Sequence, residues 1–222
     1  MNSPIVSSPK PITLIGGAQV AHSLITEALK YGADVVCADG GADTALWAGL
    51  DPVAVIGDMD SVSEAAKDAY SDVLHQIAEQ DSTDFDKALR NIDAPLIIGV
   101  GFLGQRLDHA MAALHVLQKY DRPVVLLGED DLVFVVPDQI TMTVPVGLRI
   151  SLMPLAEPVV TTHGLRWEVT EATMSMRDFI GSSNEAAAEV VTINATPGLA
   201  VIMPPEALQT VVAALTGVVP AQ

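Results

Sequence analysis

The sequence has little cysteine, little positive charge and no long apolar run. Its single cysteine, Cys37, excludes an internal disulfide and a cysteine-based zinc site, which fits a reducing cytoplasm. Its 11 basic residues stand against 28 acidic ones, and this net charge of −17 argues against nucleic-acid binding, because phosphate backbones require clustered lysine and arginine. No apolar run reaches the ~18 residues of a membrane span, and the first residues do not have the pattern of a signal peptide. We expect a soluble, cytoplasmic protein with a short frayed tail that binds neither nucleic acid nor membrane.

Residues 11–136 alternate between short apolar segments and segments with helical periodicity. The segments PITLIGG, DVVCADGG and VAVIGD predict strands, and segments such as AQVAHSLITEALKYG have the periodicity of a helix. Strands that are apolar throughout predict a mostly parallel sheet with helices on both faces. We therefore predict an α/β domain over 11–136, in which ligands bind at the carboxyl ends of the strands.

The pattern changes after Pro137. The rest of the chain consists of short β-rich runs separated by Gly and Pro, such as PVVTTHGLRWEVTEATM, followed by one helical segment that ends at Gly217. This pattern predicts a small antiparallel β-sandwich domain over 137–222.

Two aspartates follow the predicted strand in AVIGDMDS. In an extended segment, residues two apart point the same way, so Asp58 and Asp60 should present both carboxylates to one side. Such carboxylates repel each other unless a cation lies between them. Oxygen ligands without clustered histidine or cysteine favour Mg²⁺. A solvated loop or a helix N-cap explains an isolated Asp-x-Asp equally simply.

Three further motifs follow other predicted strands. In QDSTDFDKAL, Asp81 or Ser82 can cap a helix that has Asp84 in its first turn. The glycines of ADGG and IGG can offer backbone N–H groups to a phosphate, and Arg106 has a guanidinium suited to phosphate oxygens. Capping, tight turns and a surface arginine explain each motif separately. Together, at one edge of one sheet, they predict a site for a metal and a nucleotide.

The sequence has two tryptophans, and their patterns alone predict core positions for both. Trp47 lies in the amphipathic segment TALWAGL, and Trp167 lies within a β-rich run of the predicted sandwich.

The motifs ADGGAD, VIGDMDS, QDSTDFDKAL and GxxGxRLDH, in this order, resemble the thiamine pyrophosphokinase family. GLRW at 164–167 and SSNE at 182–185 resemble its C-terminal thiamine-binding signatures. The resemblance implies an α/β nucleotide-binding domain and a β-sandwich domain that work as a homodimer with active sites between the subunits. It also implies a transferase that moves a diphosphoryl group from ATP to the hydroxyl of thiamine, which gives thiamine diphosphate and AMP.

The resemblance also implies roles for particular residues, transferred motif by motif. The Mg²⁺ ligands are Asp58, Asp60 and Asp84, which with Arg106 form the catalytic set. The ATP-binding set is Asp39, Gly40, Gly41, Gln80, Asp81, Thr83, Asp108 and His109. The thiamine-binding set is Trp167, Ser183 and Asn184, in which the indole can attract the cationic thiazolium ring by ~0.5–2 kcal/mol.

Two positions depart from the family pattern. Gln105 replaces a usual glycine, and Ala113 replaces a common asparagine, so the preferred nucleotide donor stays open. Two alternatives stand beside the main hypothesis. One is a diphosphokinase that acts on another hydroxymethyl acceptor, such as a pterin, because the first domain specifies the diphosphokinase core more than its acceptor. The other, which the two departures motivate, is a protein that binds a nucleotide or thiamine without turnover.

Overall fold

The computed structural model describes residues 3–104 and 106–217, so Gln105 lies outside the described residues. The chain divides into two compact units. The first comprises the described residues up to Val116 together with Leu126–Glu129, and the second comprises Leu117–Val125 and the described residues from Asp130. The predicted division near residue 137 stays a prediction about the functional domains. None of the helices in the described ranges is long and apolar enough to cross a membrane.

The first unit alternates strands and helices, as the sequence predicts. Its elements are β1 (Val6–Ser7), β2 (Ile12–Ile15), α1 (His22–Leu29), β3 (Asp34–Ala38), α2 (Gly41–Ala48), β4 (Ala54–Gly57), α3 (Glu64–Ala69), β5 (Leu74–Gln76), α4 (Asp84–Arg90), β6 (Ile92–Asp93), β7 (Ile97–Val100) and α5 (Leu107–Leu117), with a 3₁₀ turn at Ser71–Val73.

Five strands of this unit form a parallel sheet in the order β7-β2-β3-β4-β5. All four residues of each of β2, β4 and β7 are buried, which explains why these strands are almost entirely apolar. The polar exception, Thr13, donates its hydroxyl to the carbonyl of Gly32 at 2.6 Å. Strands β3 and β4 are direct neighbours, with Ala38 opposite Ile56. The residues that follow them therefore leave the sheet side by side at its carboxyl edge.

Cys37 lies in the middle of this sheet, on β3, and is buried. Burial raises the pKa of its thiol to about 12, because the thiolate would have to form away from water. Cys37 is therefore a core residue of the sheet and chemically quiet at neutral pH.

The predicted frayed tail is wrong for the described N-terminal residues. Strand β1 pairs in parallel with β6, with Val6 opposite Ile92, and the Val6 N–H donates to the carbonyl of Asn91 at 3.0 Å. Backbone pairing of this kind holds a terminal segment that has no strong apolar pattern of its own.

The second unit is mainly β-structure. Its elements are β8 (Val124–Leu127), within which the division between the units falls, β9 (Leu132–Val135), β10 (Gln139–Thr143), β11 (Ser151–Pro154), β12 (Val159–His163), β13 (Ala172–Thr173), β14 (Val190–Ala195), β15 (Leu199–Met203) and α6 (Leu208–Thr216), with a 3₁₀ turn at Pro205–Ala207. A separate four-stranded sheet has the order β10-β14-β12-β13 and is antiparallel, as predicted. Strands β11, β15 and β9 also pair antiparallel.

The predicted core position of Trp47 is wrong, because its side chain is 66% exposed. Helix α2 buries its small residues Gly41, Ala42 and Ala45. Trp47 follows Ala45 by two positions, a spacing that points it away from that buried face. Its ring lies in an edge-to-face arrangement with the ring of His22, at a centroid distance of 6.0 Å.

Candidate active site

Three carboxylates meet at the carboxyl edge of the parallel sheet. Asp39 follows β3, and Asp58 and Asp60 follow β4, and one carboxylate oxygen of each lies within 4.8 Å of those of the other two. The predicted pair of Asp58 and Asp60 is thus joined by Asp39, which the resemblance assigns to the nucleotide. Hard oxygen donors from three carboxylates are ligands that suit a divalent metal ion.

Asp39 is held in place from two directions. Its backbone is in the left-handed region with φ of 43°, and its side chain, 4% exposed, accepts hydrogen bonds from the N–H groups of Met59 at 2.9 Å and Ser61 at 3.2 Å. Gly57 permits this close approach, because a Cβ there would lie 2.7 Å from Cβ of Asp39. Burial, and then the charge of nearby Asp84, raise the pKa of the Asp39 carboxyl.

Asp58 and Asp60 share this edge for a different reason from the predicted one. The intervening Met59 has φ of 69°, so the segment turns instead of running extended. The turn is closed by the Asp60 N–H, which donates to Oδ1 of Asp58 at 3.2 Å, while Oδ1 of Asp60 accepts from the Ser61 hydroxyl at 2.8 Å. The extended geometry assumed from the spacing is wrong, although both carboxylates do reach one site.

A buried lysine that sequence reasoning missed connects Asp58 to Asp84. Lys87 is 1% exposed, and its Nζ donates to Oδ2 of Asp58 at 3.0 Å and to Oδ1 of Asp84 at 2.9 Å. Burial by itself lowers the lysine pKa, but the hydrogen bonds and charges of the two carboxylates outweigh it, so the pKa of Lys87 is raised. The pKa of Asp58 is lowered, chiefly by its hydrogen bond from Lys87.

Asp84, the third predicted metal ligand, is linked to this edge through Lys87. Asp84 lies at the start of α4 with its carboxylate on Lys87, and the group of three close carboxylates comprises Asp39, Asp58 and Asp60. The spacing of Asp84 and Lys87, three residues apart on a helix, is the sequence signal that pairs them.

The predicted cap of α4 is also corrected. Thr83 is the N-cap, because its hydroxyl oxygen accepts a hydrogen bond from the Asp86 N–H at 3.2 Å, and neither Asp81 nor Ser82 caps the helix. Gln80 contributes directly to the site, since its Nε2 donates to Oδ2 of Asp58 at 3.1 Å.

The residues around Asp81 form a small polar turn centred on Glu79. The Glu79 carboxylate accepts hydrogen bonds from the Asp81 N–H at 2.9 Å, from the Ser82 hydroxyl and from the Arg90 guanidinium. The bonds from Ser82 and Arg90 lower the pKa of Glu79 to about 2. Asp81 itself is engaged here through its backbone.

The glycines of the predicted phosphate loops lie close together, and two of them are needed for packing. A Cβ at Gly16 would lie 2.7 Å from the carbonyl oxygen of Gly101. A Cβ at Gly17 would be 3.8 Å from Gly40, so the two loops are neighbours. A Cβ at Gly41 would lie 2.1 Å from the carbonyl oxygen of Ile15, so only glycine allows α2 to approach β2 this closely. A Cβ at Gly40 would make only ordinary contacts, at 3.4 Å from Ser61.

Arg106, Asp108 and His109 lie in an exposed segment at the start of α5. The Arg106 guanidinium bonds Asp108 through Nε at 3.2 Å and through Nη2 at 2.6 Å, which raises the arginine pKa and lowers the pKa of Asp108. Among residues 3–104 and 106–217, no hydrogen bond or ion pair joins Arg106 to the three carboxylates. Of the two departures from the family pattern, Gln105 lies outside the described residues and Ala113 is buried.

In the second unit, the two predicted thiamine signatures lie side by side. Leu165 and Ala186 form an antiparallel bridge, and the Arg166 N–H donates to the carbonyl of Glu185 at 2.9 Å. Asn184, which is buried, accepts from the Trp167 N–H at 3.2 Å and donates to the Trp167 carbonyl at 2.7 Å. We call the paired segments 164–168 and 184–188 the signature ladder.

The signature ladder presents Trp167 outward, so its core position predicted from the pattern alone is wrong. The side chain is 55% exposed, and Cζ of Arg166 lies 4.9 Å from the centroid of its ring. Ser183 is also exposed, with φ of 58°, and its N–H donates to the Ser151 hydroxyl at 3.0 Å. The residue pattern missed Arg166 and Glu185, although both stand inside the quoted signatures.

Comparisons with known proteins agree with these motifs. The model of the thiamin pyrophosphokinase catalytic domain matches residues 26–126, and the model of the thiamin pyrophosphokinase vitamin B1 binding domain matches residues 140–200. The chain is 33% identical over 202 residues to thiamine pyrophosphokinase 3 from Oryza sativa subsp. japonica, with 74% of this chain and 76% of the relative covered.

Solved structures show the same fold. The thiamin pyrophosphokinase from Geobacillus thermodenitrificans has 27% sequence identity and a TM-score of 0.70, covering 87% of this chain and 96% of the other. The thiamin pyrophosphokinase from Candida albicans has a TM-score of 0.73 at 17% identity, covering 87% and 89%, and at that identity it supports the fold alone.

Proposed function

The chain belongs to the thiamin pyrophosphokinase family and makes thiamine diphosphate from ATP and thiamine, and from this premise we propose that the carboxylate edge of its first unit holds the metal and the triphosphate. The thiamine hydroxyl oxygen forms a bond to the β-phosphorus of ATP, the bond from that phosphorus to the α–β bridging oxygen breaks, and AMP leaves. The hydroxyl proton is released. The pterin-specific and non-catalytic alternatives are not favoured by these relatives.

The observation that carries the site proposal is the group of three close carboxylates, Asp39, Asp58 and Asp60. ATP-dependent kinases generally need a divalent metal ion, and we propose Mg²⁺ for this one. Three oxygen donors from two adjacent strand ends fit that ion, and their mutual repulsion falls when a cation lies among them. When bound, Mg²⁺ would neutralise phosphate charge.

The buried Lys87 also stabilises this carboxylate edge. Its ammonium holds the carboxylates of Asp58 and Asp84 in fixed positions and offsets part of their charge. We propose that Asp84 acts in the catalytic set through this contact, beside the metal ligands, and that Gln80 fixes Asp58 by its hydrogen bond.

The triphosphate binds, in this proposal, along the neighbouring loops. Gly40 and Gly41 would give it access to backbone N–H groups. Thr83, Asp81, Asp108 and His109 are its further candidate contacts, and Arg106 is the candidate cation for the charge that develops on the leaving phosphate.

We propose that the acceptor binds at the signature ladder. The exposed indole of Trp167 offers a flat face to the cationic thiazolium, and Asn184, next to Ser183 in the sequence, hydrogen-bonds the backbone of Trp167. Residues 11–136 then form the ATP-binding domain and residues 137–222 the thiamine-binding domain. We also propose that the protein is a cytoplasmic homodimer with sites between the subunits. Light scattering of the purified protein tests the homodimer.

The deciding experiment follows the products of ATP, Mg²⁺ and thiamine by mass spectrometry. AMP and thiamine diphosphate are expected, and ADP as the nucleotide product would contradict the proposal. A pterin supplied in competition should not be diphosphorylated.

The site is tested with Asp58→Asn and Asp60→Asn. We expect each to lose activity while circular dichroism still reports a folded chain. Asp60→Asn removes one of several repelling carboxylates and should change the melting temperature little, whereas Asp58→Asn takes one carboxylate partner from the buried Lys87 and should lower the melting temperature. Asp72→Asn, which changes an exposed carboxylate of the 3₁₀ turn, is the matched control and should keep full activity.

A further inference from the structure

One face of the Trp167 indole carries a positive charge of the protein's own. Arg166 places Cζ 4.9 Å from the ring centroid, a distance typical of a cation–π contact. The indole is nevertheless 55% exposed, so the opposite face is the one available to a flat ligand.

This arrangement creates an electrostatic conflict for the proposed acceptor. Thiamine carries a permanent positive charge on its thiazolium ring, and a second cation on the same indole would share its π electrons with the first and be repelled by it. An arginine on the platform therefore disfavours a cationic ligand unless its charge is offset nearby.

Glu185 supplies that offset. Its Oε1 accepts a hydrogen bond from Nη1 of Arg166 at 2.7 Å, and the signature ladder fixes the pair, because the Arg166 N–H donates to the Glu185 carbonyl. The other carboxylate of the ladder, Glu168, is engaged elsewhere, with the N–H groups of Gly164 and Leu165 and the Thr162 hydroxyl.

The Arg166–Glu185 ion pair contributes little to the stability of the fold, so a role in ligand recognition explains it better than a role in folding. The side chain of Arg166 is 59% exposed and that of Glu185 is 36% exposed, and ion pairs open to solvent typically contribute about 0–1 kcal/mol to folding. Each of these charges still acts on a ligand bound at Trp167, provided that the ligand lies within the screening length of the solution.

We infer that Glu185 is a specificity-determining residue: by cancelling the charge of Arg166, it keeps the Trp167 platform neutral and so open to a cationic acceptor. This inference rests on the proposed binding of thiamine at Trp167.

The test is a charge series measured by steady-state kinetics. Glu185→Gln leaves the Arg166 guanidinium on the indole without its carboxylate partner, and we expect the KM for thiamine to rise about three- to tenfold at low salt, with the KM for ATP unchanged. Arg166→Gln with Glu185→Gln removes both charges and should return the KM for thiamine to near the wild-type value. Arg166→Gln alone leaves a negative charge and should leave that KM equal or lower.

The order of the three KM values for thiamine distinguishes an electrostatic role of the ion pair from a structural one. A merely structural ion pair would raise the KM in both single variants and in the double variant, and that result would overturn the inference. The effect of Glu185→Gln should also shrink as salt is added, because the charges are exposed. Glu157→Gln, which removes an exposed carboxylate from the same unit, is the control and should behave as wild type.

The wild-type reaction distinguishes the two levels of failure. If the wild-type chain makes no thiamine diphosphate, the proposed function is wrong. If it does so and Glu185→Gln leaves the KM for thiamine unchanged at low salt, the function stands and the inference about Glu185 is wrong.

Discussion

Replacing the buried Lys87 by methionine tests the electrostatic design of the carboxylate edge. Methionine keeps most of the side-chain volume and removes the ammonium, so Asp58 and Asp84 lose their shared partner. Removing one partner of a buried ion pair typically costs about 3–5 kcal/mol. The two carboxylates are 11% and 33% exposed, so water recovers part of that cost, and we expect a loss of about 2–3 kcal/mol.

Urea unfolding in the presence of a chelator measures this loss. For a denaturant slope of about 2–3 kcal/mol per molar, the midpoint should fall by roughly 1 M. Lys30→Met is the matched control, because Lys30 also pairs with a carboxylate three residues away but is exposed, and it should cost under about 0.5 kcal/mol.

Adding Mg²⁺ extends the same experiment. A cation that binds only the folded state stabilises it by mass action, and in Lys87→Met it also replaces a missing positive charge. Mg²⁺ should therefore stabilise this variant more than wild type. A Lys87→Met protein as stable as wild type without metal would refute the view that Lys87 holds the edge together.

Three further predictions follow from other parts of the molecule. The folded-state pKa of Glu79 is about 2 against an ordinary value of 4.5, so the ionised carboxylate contributes fully to stability above pH 4.5 and this contribution disappears as pH falls toward 2. Between pH 4.5 and 2, the urea midpoint of Glu79→Gln should therefore depend less steeply on pH than that of the wild type. Trp167→Ala should raise the KM for thiamine about 3- to 30-fold, as the loss of a cation–π contact implies, whereas Trp47→Ala should leave that KM unchanged. Gly41→Ala should lower the melting temperature by several degrees, because its Cβ would overlap a strand carbonyl, and adjacent Gly40→Ala should change it little.

The sequence predicted those parts of the fold that depend on local periodicity. Apolar strands between helical segments predicted the parallel α/β unit, and Gly- and Pro-punctuated runs predicted the antiparallel sheet, since both patterns follow from which faces are buried. Trp47 shows the limit of that argument. An amphipathic pattern does not say which face of a short helix is buried when small residues occupy the other face.

The site was predictable in part, because the motifs name residues but do not give their backbone geometry. Asp58 and Asp60 were found from their spacing, yet the left-handed Met59 between them gives a turn that the spacing did not predict. Asp39 joined the carboxylates through a close approach to Gly57, which depends on the neighbouring strand. Lys87 was missed because lysine is rarely buried, and only the tertiary fold reveals that two aspartates surround it.

The side chain of Asn184 uses both ends of its amide. Its oxygen accepts from the N–H groups of Trp167 and Glu185, and its nitrogen donates to the Trp167 carbonyl. Aspartate has nearly the same shape, but it would set an oxygen against that carbonyl, so deamidation here would replace one hydrogen bond of the ladder by a repulsion. For enzyme redesign, segments 164–168 and 184–188 therefore form one transplantable module: a loop exchange that moves either segment alone would leave the platform of the acceptor without its support.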